Sequence, residues 1–64
     1  MEKLGKIYSI INKTSGYIIS DDGISYLFFK SDILDDTKIE EGEVVLFKPI
    51  FDTFWRATYI SKYK

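Results

Sequence analysis

Apolar and polar positions along this chain alternate in short runs with a period near two, and no stretch carries a helix-period stripe. Residues 4–12 (LGKIYSIIN), rich in β-branched and aromatic types, predict a first strand, and residues 16–20 (GYIIS) a second. Asp21-Asp22-Gly23 supplies hairpin chemistry, since Asp and Gly tolerate the positive-φ positions of tight turns. Residues 25–30 (SYLFFK) then pair back as a third strand. Ser31 or Asp32 caps one short helical turn through Leu34 by accepting from exposed backbone N–H groups. A polar connection runs to Gly42. Strand four spans 43–48 (EVVLFK) and ends at Pro49, which has no N–H for a ladder. Strand five covers 54–62 (FWRATYISK). Five short antiparallel strands, with the longest connection between the third and fourth, suit a small closed all-β barrel better than an open sandwich.

Strand alternation also assigns faces. Gly16 and Ile18 share one face of strand two, opposite Ser15, Tyr17 and Ile19. In strand three Tyr26 and Phe28 lie opposite Leu27 and Phe29. With Ile18 and Phe28 inside, Ile7, Ile33, Ile39, Val45 and Phe47 complete an interior. Tyr17, Leu27 and Phe29 then stand on the outer surface. That apolar cluster is an interface, unless the opposite face is the buried one or a loop covers Phe29. Inward Val45 and Phe47 send Val44 and Leu46 outward. The segment Ile50 to Arg56 is aromatic, and Phe51, Phe54 or Trp55 serve there as stacking rings, plug the barrel end or pack on Val44 and Leu46. Arg56 beside them offers charge or a cation–π contact.

Composition narrows the chemistry. Sixty-four residues without cysteine or histidine predict one domain over residues 1–64, with no disulfide, thiol chemistry, zinc-finger ligation or histidine-based triad. No apolar run reaches the roughly 18 residues of a membrane span, so a soluble cytoplasmic domain with no membrane partner is expected. The net charge of −1 is unevenly spread. Lys3, Lys6 and Lys13 outnumber Glu2 near the start, and Lys48, Arg56, Lys62 and Lys64 outnumber Asp52 near the end. Between them Asp32, Asp35, Asp36, Glu40, Glu41 and Glu43 face only Lys38. This acidic stretch is either a solvated loop or the source of a local field. The carboxylate pairs Asp21-Asp22 and Glu40-Glu41 sit on predicted turns, where water screens them and keeps their titration near normal. Asp32, Asp35 and Asp36 lack calcium-loop spacing, and Lys13-Thr14-Ser15-Gly16 is not a phosphate-cradling loop. No enzyme activity, metal or cofactor is expected.

The order of landmarks resembles a cold-shock domain, a five-stranded OB-fold barrel, over nearly the whole chain from Gly5 to Ile60. Gly5-Lys6-Ile7 looks like the family's opening Gly-x-Val. Lys13-Thr14-Ser15-Gly16-Tyr17-Ile18 sits where the first RNP motif, Lys-Gly-Phe-Gly-Phe-Ile, is found. Asp21-Asp22-Gly23 matches the hairpin turn. Tyr26-Leu27-Phe28-Phe29-Lys30-Ser31-Asp32-Ile33 is similar to the second RNP motif and its tail. Glu41-Gly42-Glu43-x-Val45-x-Phe47 and Ala57-x-x-Ile60 look like strands four and five.

The departures bear on function. The family binds single-stranded nucleic acid on exposed aromatics, each offering a π-face to a base. Its first-strand Trp-Phe pair falls at Ser9 and Ile10, across a one-residue gap. The two Phe of the first motif become Ser15 and Tyr17. In the second motif Phe becomes Leu27, His becomes Phe29, and the following aromatic becomes Lys30. The resemblance therefore implies weak binding of single-stranded RNA or DNA, without strong sequence preference, at Lys6, Tyr8, Lys13, Tyr17, Leu27, Phe29 and Lys30. Trp55 and Arg56, in a segment without a family counterpart, are added to that surface. Lys62 is a further phosphate contact. The alternative is a protein-interaction or self-association module that meets a protein partner or a second copy through the apolar face. A structural unit whose activity lies elsewhere is the third reading.

Overall fold

The alternating runs form five strands, β1 (Lys3–Ile10), β2 (Ser15–Ser20), β3 (Ser25–Phe29), β4 (Val44–Phe51) and β5 (Trp55–Lys62), with one 3-10 turn at Lys30–Asp32. They are seen in a computed structural model that describes residues 1–34 and 38–63. Asp35, Asp36 and Lys64, which the charge pattern singled out, lie outside the described residues, as does Thr37. The strands close into a barrel in the order β1-β2-β3-β5-β4. No helix of the described residues is long and apolar enough to cross a membrane.

The barrel is not wholly antiparallel, which corrects the expectation from sequence. β3 and β5 run parallel at Leu27 and Arg56, with a second parallel bridge between Ile33 and Ile60. The reason is topological. Antiparallel neighbours alternate in direction around a closed ring, and a ring of five leaves two adjacent strands pointing the same way. The other four contacts are antiparallel. The long connection after β3 places the exception between β3 and β5.

A second correction concerns Pro49. β4 does not end there but continues to Phe51, with Pro49 opposite Ala57. Pairing with β1 stops at Phe47, so beyond that point β4 has only β5 beside it. A residue lacking an N–H is tolerated on such a half-paired stretch. The expected helical turn also begins earlier, with Phe29 rather than Ser31 or Asp32 at its cap position. It covers Lys30–Asp32, and Asp32 Oδ2 accepts from the Phe29 N–H at 2.9 Å.

Ile7, Ile18, Tyr26, Phe28, Val45, Phe47, Ala57 and Ile60 form the buried core, and Ile24, Ile33 and Ile39 pack against it. Gly16 makes room for Phe28: a Cβ there would lie 2.6 Å from the Ser9 carbonyl oxygen and 2.9 Å from the Phe28 ring. β1 carries a bulge between Ile7 and Ser9, which leaves Tyr8 without a partner in the β1–β2 register.

The carboxylates on the turns are not all ordinary. Asp22 bonds Lys3 Nζ, the Ser20 hydroxyl and the Ile24 N–H, and these partners hold its carboxyl at about 2. The sequence expectation of near-normal titration fails here because the turn folds back onto β1. Such a depressed group stabilises the fold above its ordinary value of 3.8 and loses that contribution as pH falls towards 2. The thermal midpoint is accordingly expected to drop between about pH 4 and pH 2, and Asp22→Asn to flatten that part of the curve. A parent and variant with superimposable acid profiles would remove Asp22 from the account.

Candidate nucleic-acid interface

Residues directly opposite in adjacent strands project from the same face. The pairs Ser9↔Tyr17, Tyr17↔Leu27, Leu27↔Arg56 and Arg56↔Ile50 therefore draw one row of outward side chains around the barrel. Ser15↔Phe29 lies one step along on one side, and Lys6↔Ile19↔Ser25 one step along on the other. Tyr17 and Phe29 are 38% and 36% exposed, so each ring is partly open to solvent. Leu27 between them is half-buried. Tyr8, at the bulge, is 66% exposed.

Asp32 organises this face. Besides accepting from the Phe29 N–H, both its carboxylate oxygens accept from Arg56 Nη2 at 3.0 Å. The guanidinium carbon in turn lies 5.2 Å from the centre of the Phe29 ring. Arg56 was expected to meet phosphate directly. In the structure its guanidinium pairs with Asp32 and lies against Phe29. The sequence held a partial signal, an Asp three residues after the last residue of an aromatic strand. Its link to a residue 24 positions later has no local mark.

The cations divide into two groups. Lys3 pairs with Asp22, and Lys62 lies 3.2 Å from Glu43, whose carboxyl is held low by the Glu40 N–H and by Lys62. Lys62 is thus tied to a carboxylate. Lys6, Lys13 and Lys30 are exposed, and none of them forms an ion pair with a described residue. The acidic stretch is partly structural, since Glu41 accepts from the Ile10 N–H at 2.8 Å.

Trp55 is placed elsewhere. It shares its side of β5 with Ala57, opposite in sense to Arg56, and packs edge-on against buried Tyr26 and against Phe51, with centroids 5.7 and 4.9 Å away. Trp55 and Phe51 nevertheless stay 44% and 65% exposed.

The fold has a solved counterpart. The Drosophila structure of Unr CSD456 matches 100% of the chain with a TM-score of 0.88 at 20% sequence identity. The architecture is a cold-shock OB fold. The chain spans 27% of the length of that structure. No protein-family model and no curated protein matches the chain by sequence. On this cold-shock barrel, four of the positions that the resemblance assigns to stacking rings are Ser15, Tyr17, Leu27 and Phe29. They lie together on the outer side of β2 and β3.

Proposed function

We propose that residues 1–64 act as one cold-shock-like module that binds single-stranded RNA or DNA weakly and with little base preference. The observation that carries this reading is the outward placement of Tyr17 and Phe29 on neighbouring strands, with Arg56 against the Phe29 ring. Tyr17, Phe29 and Tyr8 offer π-faces to bases, and Leu27 gives an apolar contact between the first two. Lys6, Lys13 and Lys30 meet phosphates. Arg56 lies against Phe29, and Trp55 packs against Tyr26 and Phe51. Each stacked base contributes about 1–3 kcal/mol, and three rings with three lysines on a chain of net charge −1 support modest affinity only.

The test is an NMR titration with mixed pyrimidine and purine oligomers of DNA and RNA at low salt. Ring resonances of Tyr17 and Phe29 are expected to shift. The logarithm of affinity should fall with the logarithm of salt at a slope of about −2, the value for roughly three neutralised phosphates on a single strand. Shifts confined to lysines, or none, would overturn the reading. Self-association abolished by Phe29→Asp or Leu27→Asp would instead assign the face to a second copy.

A further inference from the structure

A cleft of about 360 Å³ opens between the β1–β2 loop and the residues Ile33, Lys38 and Ile39, and neither Tyr17 nor Leu27 lines it. Its apolar lining is Ile10, Phe28, Ile33 and Ile39, and its rim carries Lys13, Lys30 and Lys38. Three lysines lining one cleft are unexpected in a chain whose net charge is −1. None of the three forms an ion pair with a described residue. Glu41, whose carboxylate accepts from the N–H of the lining residue Ile10, does not itself line the cleft.

The loop wall is rigid for its size. Asn12 Oδ1 accepts four bonds, from the backbone N–H and the hydroxyl of both Thr14 and Ser15, at 2.9 to 3.1 Å. Four donors converging on Oδ1 fix which way the amide points, and the two N–H groups of Nδ2 remain for another acceptor. The Lys30 N–H donates to the Thr14 carbonyl at 2.7 Å and ties the loop to the end of β3. An ordered loop loses little freedom on binding.

We infer that this cleft binds a nucleoside monophosphate, with the phosphate held by Lys13, Lys30, Lys38 and Asn12 Nδ2 and the base or sugar lying on the apolar lining. A phosphate monoester is a compact, nearly dianionic acceptor, which suits a cleft lined by several lysines. Ile10, Phe28, Ile33 and Ile39 suit a flat, largely apolar body, and the volume falls at the lower end of small-ligand sites. A neighbouring shallow depression lined by Thr14, Phe29, Lys30, Ser31 and Ile33 joins the cleft to the Phe29 face. The nucleotide is thus either free or the phosphorylated end of a strand lying across Phe29, and only the second source rests on the proposed function.

The experiment titrates the isotope-labelled protein with adenosine and uridine monophosphates, with the matching nucleosides, and with inorganic phosphate. Monophosphates are expected to shift the amides of Ile10, Asn12, Ile33 and Ile39, to bind at least tenfold more tightly than nucleosides or phosphate, and to weaken at least fivefold in Lys38→Ala. Unphosphorylated oligomers should bind that variant as they bind the parent, because Lys38 is off the Tyr17–Phe29 face. A tenfold gain from phosphorylating an oligomer's end, lost in Lys38→Ala, identifies the strand end as the source. Monophosphate binding without that gain identifies the free nucleotide. If monophosphates leave the cleft amides unmoved, or bind no better than phosphate, the inference is wrong even where oligomers bind. If monophosphates bind but oligomers do not, the cleft stands and the proposed function falls.

Discussion

A Phe47→Ala variant is expected to lose most of its folded population at room temperature. Phe47 is fully buried, and its ring meets that of Tyr26 at a centroid distance of 4.9 Å in the middle of the core. Truncating a buried Phe costs about 3–5 kcal/mol, through lost burial and the cavity left behind. A single core in a chain this short rarely supplies more than about 3–5 kcal/mol in total. The two quantities are of equal size, so little stability remains. Urea titration followed by circular dichroism reads the result directly. Phe51→Ala is the matched control: Phe51 is 65% exposed, and its loss should cost less than about 1 kcal/mol. Equal midpoints for the two variants would mean that the interior is not the one described.

The second large effect concerns binding. Tyr17→Ala and Phe29→Ala are each expected to weaken oligonucleotide affinity by about 1–3 kcal/mol. The double variant should lose about 30-fold or more, given tenfold per 1.4 kcal/mol. Neighbouring rings that share one strand of bases do not contribute independently, so the double loss need not equal the sum. Both rings are more than one-third exposed, and the thermal midpoint should move far less than the affinity does. Fluorescence anisotropy of a labelled oligomer at low salt gives the affinities. A double variant that binds like the parent would show that the bases stack elsewhere.

The sequence was most informative where period-two alternation meets burial. Ile7, Ile18, Phe28, Val45 and Phe47 were all legible as interior because a strand buries every second residue, and the chain places them that way. The Asp21-Asp22-Gly23 turn was legible because few residues accept its backbone, and Gly23 has φ of 89°. Alternation reports face and not direction, which is why the parallel contact of β3 with β5 was missed although an odd ring demands one. Pro49 was misjudged because its tolerance depends on how far β1 extends along β4, a matter of register rather than of residue type. On the candidate face, the exposure of Tyr17 and Phe29 followed from local pattern. The Asp32–Arg56 pair, the hold on Asp22 and the Asn12 loop anchor depend on contacts that form only after the ring closes.

The parallel contact has a consequence for how the cylinder comes apart. Four of its joints are ladders of several residue pairs, whereas β3 meets β5 at Leu27 and Arg56 alone, with Ile33 and Ile60 beyond. Fluctuations that breach the wall will start at this thinnest joint, because fewest bonds must break together there. A breach unrolls the ring into a sheet with β3 and β5 as its two margins, each with unmet backbone donors and acceptors. Two unrolled copies can satisfy those margins mutually, β3 of one against β5 of the other, so the line of easiest opening is also the line along which strands would be exchanged.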